Sequence, residues 1–437
     1  MKLKVEKLEF ASATFRMPLK FGASVVKDVV MPAVTIRLSD GPREATGIGA
    51  MPLGNAWSFP AAPHDLSLDA MQRLTRALAT SIDKLTGASI FALSHELETV
   101  CLELAGGISR DMPQLPGPIP KLCALVVFSA FDIAAFDAWG KLRGGNTFAL
   151  LRATLEGANL ARWLDDGFKQ HGLAKAILPA PVEGLPLFHL VGGLDPLTPA
   201  DVAKPIGDGL PEHLEEWIDR DQLTHLKIKL RGDEAEWDFN RIIQVERIAS
   251  NKVRGEPVYS LDFNEKCPSG AALVDLLERV RSAAPRAFQR IAYVEQPTSR
   301  ELRDRPEDRM HAAAKLKPVV IDEALTDYDA FRRARALGYS GVALKACKGI
   351  GPSLLMAAAC RKDGLFLCVQ DLTCPGLALM ASTSLAAWLG VAAIEANARQ
   401  FCPSANEEWA GRRPEVFAIR SGRVDTSRFG GAGLGFE

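Results

Sequence analysis

The chain has 437 residues, room for one (β/α) barrel of about 250 residues together with a second domain. Its composition is 47% hydrophobic and 24% charged, with 36 Gly and 27 Pro spread along the chain, which excludes disorder and fibrous structure as global descriptions. With 52 basic against 53 acidic residues the formal charge is −1, and no dense Lys/Arg block supplies a footprint for nucleic acid.

Residues 1–60 read as strands and turns, with apolar alternation over Val5 to Phe10 and Ala33 to Leu38 and a turn signal at Asp40-Gly41. Residues 65–145 carry helical periodicity. Together, residues 1–150 are expected to form an α+β domain. Residues 151–186 fit neither neighbour and read as a connection or insertion. From there on, short apolar runs alternate with helical patterns. Eight runs recur: Pro186 to Val191, His225 to Leu230, Val258 to Asp262, Ile291 to Glu295, Val319 to Asp322, Val342 to Lys345, Leu365 to Gln370 and Val391 to Glu395. Their starts lie about 23 to 39 residues apart, enough for a strand, a crossover helix and two loops. Eight βα units close a barrel, expected over 187–400, and the polar segment 401–437 leaves it.

None of the eight cysteines falls in a C-x-x-C pair, and most sit in apolar runs, the pattern of buried reduced thiols. Lys and Glu interrupt the first ten residues, unlike a signal peptide, so a cytoplasmic location is expected. Leu372 to Ile394 is uncharged and long enough to span a membrane. Thr373, Pro375, Ser382, Thr383, Ser384 and Gly390 dilute it, so it reads as a buried helix followed by a short strand, with no membrane partner.

In a barrel, a polar residue ending an apolar strand points into the upper mouth. Nearly every run here ends that way: Lys227 and Lys229, Asp262, Glu295, Asp322, Lys345, Gln370 with Asp371, and Glu395. The alternation in His-Leu-Lys-Ile-Lys-Leu puts both lysines on one face. Inside a barrel those ammonium groups need carboxylates, and the next three strands bring them. Taken singly, each acid could cap a helix. Three on consecutive strand ends, with no His or Cys, suit a hard cation with open positions, Mg²⁺ first and Mn²⁺ second. Lys345 ends the sixth strand, opposite the second in an eight-stranded barrel. A carboxylate substrate between them would meet Lys229 on one face and Lys345 on the other, an arrangement for proton transfer at carbon. Lys227 would assist Lys229, Lys348 reads as a surface residue, and His189 at the first strand is a candidate substrate contact.

The succession Lys-x-Lys, Asp-x-Asn, Glu-Gln-Pro, Asp-Glu and Lys at strand ends resembles the enolase superfamily, in its muconate lactonizing enzyme-like subgroup. Phe128 to Lys141 looks like that family's last capping-domain helix, and Pro18 to Gly22 and Gly47 to Trp57 look like its capping loops. The resemblance implies a modified TIM-type barrel, an N-terminal α+β cap completed by the C-terminal segment, and Mg²⁺-dependent abstraction of a proton α to a carboxylate. It also implies Lys229 and Lys345 as base and acid with Lys227 accessory, and Asp262, Glu295 and Asp322 as metal ligands; Asn264, Gln370, Asp371 and Glu395, beside these at the strand ends, are candidate substrate contacts. The chain departs from the family pattern in longer spacings around Asp262 and in the extra stretch 146–186. Glu395 and Asn397 have the spacing of the acidic pair of dipeptide epimerases, with Asn in place of one acid.

The leading expectation is a racemase or epimerase acting on a small carboxylate through two lysines, and the resemblance implies a homo-oligomer. On the same enediolate, lyase chemistry (a cycloisomerase or acid-sugar dehydratase) competes. A Schiff-base aldolase on Lys345 needs no metal and leaves the three acids unexplained, and a non-catalytic scaffold leaves five competent residues unexplained.

Overall fold

In a computed structural model, residues 1–21, 24–154 and 158–437 are described. Three N-terminal strands, β1 (Lys2–Phe21), β2 (Ser24–Asp40) and β3 (Arg43–Ala50), form an antiparallel sheet in that order. Asp40 pairs with Arg43 across a two-residue turn in which Gly41 takes φ +62°, the left-handed conformation that a side chain resists. The β1–β2 hairpin is far longer than its two short alternating runs suggest, since register irregularities after Val5 and Thr14 break the alternation while pairing continues. Its distal end carries Phe15, Leu19 and Val29 onto Leu190, Ala398 and Phe401 at the barrel mouth. Of the expected capping loop Pro18 to Gly22, Gly22 lies outside the described residues.

Behind the sheet lie the helices His64–Ser81, Ile90–Asp111 and Lys121–Leu142. Lys121–Leu142 is the helix long and apolar enough to cross a membrane, with mean hydropathy 1.8, yet it is buried inside the fold. It carries the motif Phe128 to Lys141 and packs directly on β3, whose glycines permit the contact. A Cβ on Gly49 would stand 2.1 Å from the Ala130 carbonyl oxygen, and one on Gly47 2.2 Å from that of Ala134. Neither neighbour is a flexible side-chain end, so the contact cannot relax cheaply.

Eight parallel strands follow: β4 (Gly184–Val191), β5 (His225–Lys229), β6 (Val258–Asp262), β7 (Ile291–Glu295), β8 (Val319–Ile321), β9 (Gly341–Lys345), β10 (Phe366–Gln370) and β11 (Ile394–Glu395). They are hydrogen-bonded in the order β10-β9-β8-β7-β6-β5-β4-β11, and β10 and β11 lie beside one another where the curled sheet closes. Each coincides with one of the eight apolar runs, and the fold is the barrel with an α+β cap that those runs imply. The uncharged stretch 372–394 is the buried helix Leu377–Leu389 followed by β11.

Residues 158–183 run irregularly, with single 3₁₀ turns at Asp166–Phe168 and Leu173–Lys175. Leu160, Phe168, Leu173 and Ile177 are buried, and Leu178 N–H donates to the Trp388 carbonyl. At the C-terminus, β12 (Arg423–Asp425) pairs antiparallel with the start of β4. Leu434 N–H then donates to Asp137 of the helix Lys121–Leu142, and Thr147 N–H to Gly433 O. All eight cysteines are buried and unpaired.

Because Gly49 meets rigid backbone, Gly49→Ala is expected to cost about 1–3 kcal/mol through overpacking. Thermal unfolding measures it, and an unchanged midpoint would disprove the close approach.

Candidate active site

Side-chain parity builds the site. A floor of Phe188, Tyr293, Val320, Ala343, Cys368 and Ala393 fills the barrel interior. Two residues further along each strand the same face reaches the mouth. Above Tyr293 stands Glu295, above Val320 Asp322, above Ala343 Lys345, above Cys368 Gln370 and above Ala393 Glu395. On β5 the inward face carries Lys227 and Lys229, and on β6 Ser260 and Asp262. Lys229 is level with Asp262, Asp262 with Glu295, and Gln370 with Lys345.

These groups are buried and pair with one another. Lys227 Nζ lies 3.1, 2.9 and 2.9 Å from carboxylate oxygens of Asp262, Glu295 and Glu395. Lys229 donates to Asp262 and, at 2.9 Å, to Asn264 Oδ1. Across the barrel, Lys345 Nζ is 2.7 Å from Asp322 Oδ2. Burial works against the charge on Lys227, but Glu295, Glu395 and Asp262 outweigh it and hold the ammonium well above its ordinary range. Asp322 in turn holds Lys345 up against its own burial. Burial also opposes ionisation of Asp262, and Lys229 and Lys227 reverse that, lowering it. Glu295, dehydrated and beside Asp262, is raised well above the carboxylate range.

Gln296 explains the Glu-Gln-Pro motif. It takes φ +32°, and its Oε1 accepts from the N–H groups of Asp322 (2.9 Å) and Ala324 (3.3 Å). One strand end thereby fixes the next.

Three sequence expectations change. Lys348 is not a surface residue: it is 5% exposed, and its Nζ donates to Asp322 O (2.5 Å) and Oδ1 (3.2 Å). The 3₁₀ turn Ala346–Lys348 after β9 folds it back into the mouth, which a helical or extended reading cannot foresee. His189 does not join the cluster. It pairs with Leu226, whose parity is outward, and contacts Arg399, Gln400 and Trp217 behind the barrel wall; burial lowers its pKa well below the ordinary range. Asp371 lies just past β10 and also stays out of the cluster: it accepts from Cys374 N–H (2.6 Å) and Asn397 N–H (2.7 Å), tying the last two strand ends together. Asn397 faces inward beside Glu395, donating to its Oε2 at 2.9 Å. The remaining expected site residues, Asn264, Gln370 and Glu395, do converge on the mouth; Gln370 Nε2 donates to Glu295 and, at 3.2 Å, to Tyr293 OH.

Trp57 and Glu323 carried no individual signal. Trp57, in the short helix Asn55–Ser58 after β3, lies over Lys345 Nζ at 4.6 Å from its ring centroid. Its Nε1 donates to Glu323 Oε1 at 2.9 Å, as does Asn264 Nδ2 at 3.2 Å. Burial, then Asp322, pushes Glu323 up to about 7. The acidic pair Asp322-Glu323 was the available signal for Glu323. The roof residue comes from a distant segment whose contact only the fold creates.

Asp262, Glu295 and Asp322 offer oxygen donors alone, and Asp322 Oδ2 is buried against the Lys345 ammonium. That donor chemistry fits a hard divalent cation. Among the described residues no three such side chains stand as a ready cage, because lysine ammonium groups sit against the same oxygens.

A barrel with a cap over a mouth of lysines and acids defines the class of protein. A family profile described as enolase C-terminal domain-like matches residues 209–437, more than half the chain. The chain belongs to the enolase superfamily, in its mandelate racemase and muconate lactonizing enzyme subgroup. No curated protein gave a significant match. Among solved structures, it is similar in fold to a dipeptide epimerase from Enterococcus faecalis complexed with Mg and L-Leu-L-Tyr (TM-score 0.65, 14% identity, 100% of this chain and 99% of that one). It is similar also to L-Ala-D/L-Glu epimerase from Bacillus subtilis (0.63, 17%, 100% and 98%). Muconate lactonizing enzyme from Pseudomonas fluorescens, complexed with muconolactone, gives 0.60 at 17%, covering 100% and 96%.

The Asp322 carboxylate, buried but flanked by Lys345 and Lys348, sits at about 2 against an ordinary 3.8. A depressed carboxylate contributes stability that is complete above the unfolded value and is lost as pH falls from about 4 toward 2. Lys348→Met removes one of the two cations, so acid unfolding of the metal-free protein, followed by circular dichroism, is expected to begin at higher pH than in the wild type.

Proposed function

We propose that this protein is a Mg²⁺-dependent racemase or epimerase of a small carboxylic acid, which removes the α proton on one face and returns a proton on the other. The observation that carries this reading is the placement of Lys229 and Lys345. They end the second and sixth of eight strands, on opposite sides of one acid cluster, each buried and engaged with a carboxylate. The ligands named for similar structures, a dipeptide and muconolactone, agree with a small carboxylate as substrate.

Asp262, Glu295 and Asp322 would hold the cation, which supplies Lewis-acid stabilisation of negative charge growing on the substrate carboxylate. Lys229 then exchanges a proton with the α carbon from one face and Lys345 from the other, through an enediolate. Lys227, clasped by three carboxylates, remains charged and adds fixed positive potential beside the reacting group. Trp57 roofs the Lys345 side and Gln370 and Glu395 line the seventh and eighth strand ends. Excluding water there strengthens each of these electrostatic contacts.

The test is α-deuterium incorporation in D₂O, read by mass spectrometry and NMR across dipeptides, N-acyl amino acids and hydroxy acids, with Mg²⁺ and then with EDTA. Exchange dependent on Mg²⁺ is expected. Lys345→Met should lower racemisation by about 10²- to 10⁴-fold, the worth of a positioned acid or base, while exchange on the Lys229 face survives. Full racemisation by Lys345→Met would sink the two-base reading. Elimination product in place of the second enantiomer would assign lyase chemistry, and absence of Mg²⁺ binding by calorimetry would leave a scaffold.

A further inference from the structure

The segment that delivers Lys345 and Lys348 is held from the cap. After β9 the chain makes the 3₁₀ turn Ala346–Lys348, passes through Gly349 and enters the helix Ile350–Lys362. The first two amides of that helix donate to one oxygen of Asp132, Ile350 N–H at 2.6 Å and Gly351 N–H at 3.0 Å. The other Asp132 oxygen accepts from Ser94 Oγ at 2.6 Å. Asp132 is fully buried midway along the cap helix Lys121–Leu142, and Ser94 belongs to the cap helix Ile90–Asp111. Among the described residues the partners of Asp132 are one hydroxyl and the amino end of a barrel helix, with no lysine or arginine beside them.

The fit allows little play. Gly349 takes φ +97°, and a Cβ there would stand 2.5 Å from Phe128 Cε1 and 3.0 Å from Asp132 Oδ2. A Cβ on Gly351 would come within 2.5 Å of Ser94 Oγ. Ser353 Oγ returns to the Lys345 carbonyl at 3.3 Å. Lys345 thus ends β9 and Lys348 ends the turn after it, on a connection whose far end is pinned to the cap by Asp132.

We propose that Asp132 is a positioning residue for the Lys345 side of the site: by clamping the start of the helix Ile350–Lys362 it sets where Lys345 and Lys348 stand against Asp322, and so ties this one cap contact to proton transfer on the Lys345 face of the substrate. The part concerning proton transfer rests on the two-lysine reading above, whereas the clamp itself does not. Lys229, on the opposite wall, is fixed by Asp262 and Asn264 and does not share this support.

The experiment compares Asp132→Asn, which keeps shape but replaces one of the two accepting oxygens with an amide donor, with Asp137→Asn as a matched cap control. Asp137 is equally buried in the same helix and accepts from Ile48 N–H and Leu434 N–H, away from the lysine loop. Each enantiomer of a substrate is followed separately in D₂O, so that exchange from the two faces is measured independently, and the faces are assigned with Lys345→Met and Lys229→Met. Asp132→Asn is expected to slow the Lys345 face by about 10²-fold, the scale of a misplacement near 1 Å, with the Lys229 face within about threefold of wild type. The control should leave the ratio of the two faces unchanged. Equal loss on both faces, or no loss, overturns the proposal.

A second readout needs no activity. Amine acetylation with mass-spectrometric readout should show Lys345 and Lys348 labelling faster relative to Lys229 in Asp132→Asn than in wild type or Asp137→Asn; an unchanged ratio overturns the clamp. Absence of exchange in the wild type with the labelling shift present would count against the two-lysine reading and leave the clamp standing.

Discussion

The barrel mouth depends on one constraint: charges removed from water must find each other. Lys227, Lys229, Lys345 and Lys348 are all at most 6% exposed, and Asp262, Glu295, Asp322, Glu323 and Glu395 are buried with them. Isolated, any one of these would carry a desolvation penalty of several kcal/mol. Arranged alternately, they leave each ammonium on at least one carboxylate. The same lysines sit on the oxygens that would hold a divalent cation, so a cation bound there would compete with them and would leave a lysine available to a substrate.

That cluster exists because two separate parts of the chain meet over it. The barrel alone would leave its mouth open to water, which would weaken every ionic contact. Trp57 roofs Lys345 only because β3 is pressed against the helix Lys121–Leu142, an approach that the glycines at 47 and 49 permit. The hairpin end around Leu19 covers the first and eighth strands. The C-terminal segment returns from the barrel to the same cap helix at Asp137. Cap, barrel and tail thus converge on a single apolar helix that composition alone could mistake for a membrane span.

Much of this was legible in the sequence because strands obey a two-residue period. Apolar runs marked all eight strands and nearly all ended in a polar residue; alternation for Lys227 and Lys229, and position at a strand end for Asp262, Glu295, Asp322, Lys345, Gln370 and Glu395, predicted that they share an interior. The same rule, counted from the floor residues, turns His189 outward. Its misassignment came from reading proximity to a strand end without counting the alternation. Lys348 and Asp371 escaped for another reason. They lie just past their strands, where a 3₁₀ turn or a backbone-bound loop decides direction and no period applies. Trp57 was beyond reach in a stricter sense, because its contact with Glu323 joins residues 266 positions apart.

The buried acids also divide by partner, and the division carries chemical meaning. Asp132 and Asp371 accept from backbone amides, with a serine hydroxyl added at Asp132, and Asp137 from two amides and Lys141. A backbone amide keeps its proton and its place, so an acid bound this way acts as a staple between elements. Asp262, Asp322 and Glu395 are bound by ammonium groups on long side chains, with the Asn264 backbone amide added at Asp262 and the Asn397 side chain at Glu395, and Glu295 by one such group and by Gln370. An ammonium can swing away or give up a proton, so the same carboxylate becomes available to an incoming cation or substrate without any change in the fold. The chain therefore uses one residue type for two ends. Aspartates joined to the backbone fix the frame, and acids joined to lysines leave a centre that can change its charge and its contacts while the frame stays still.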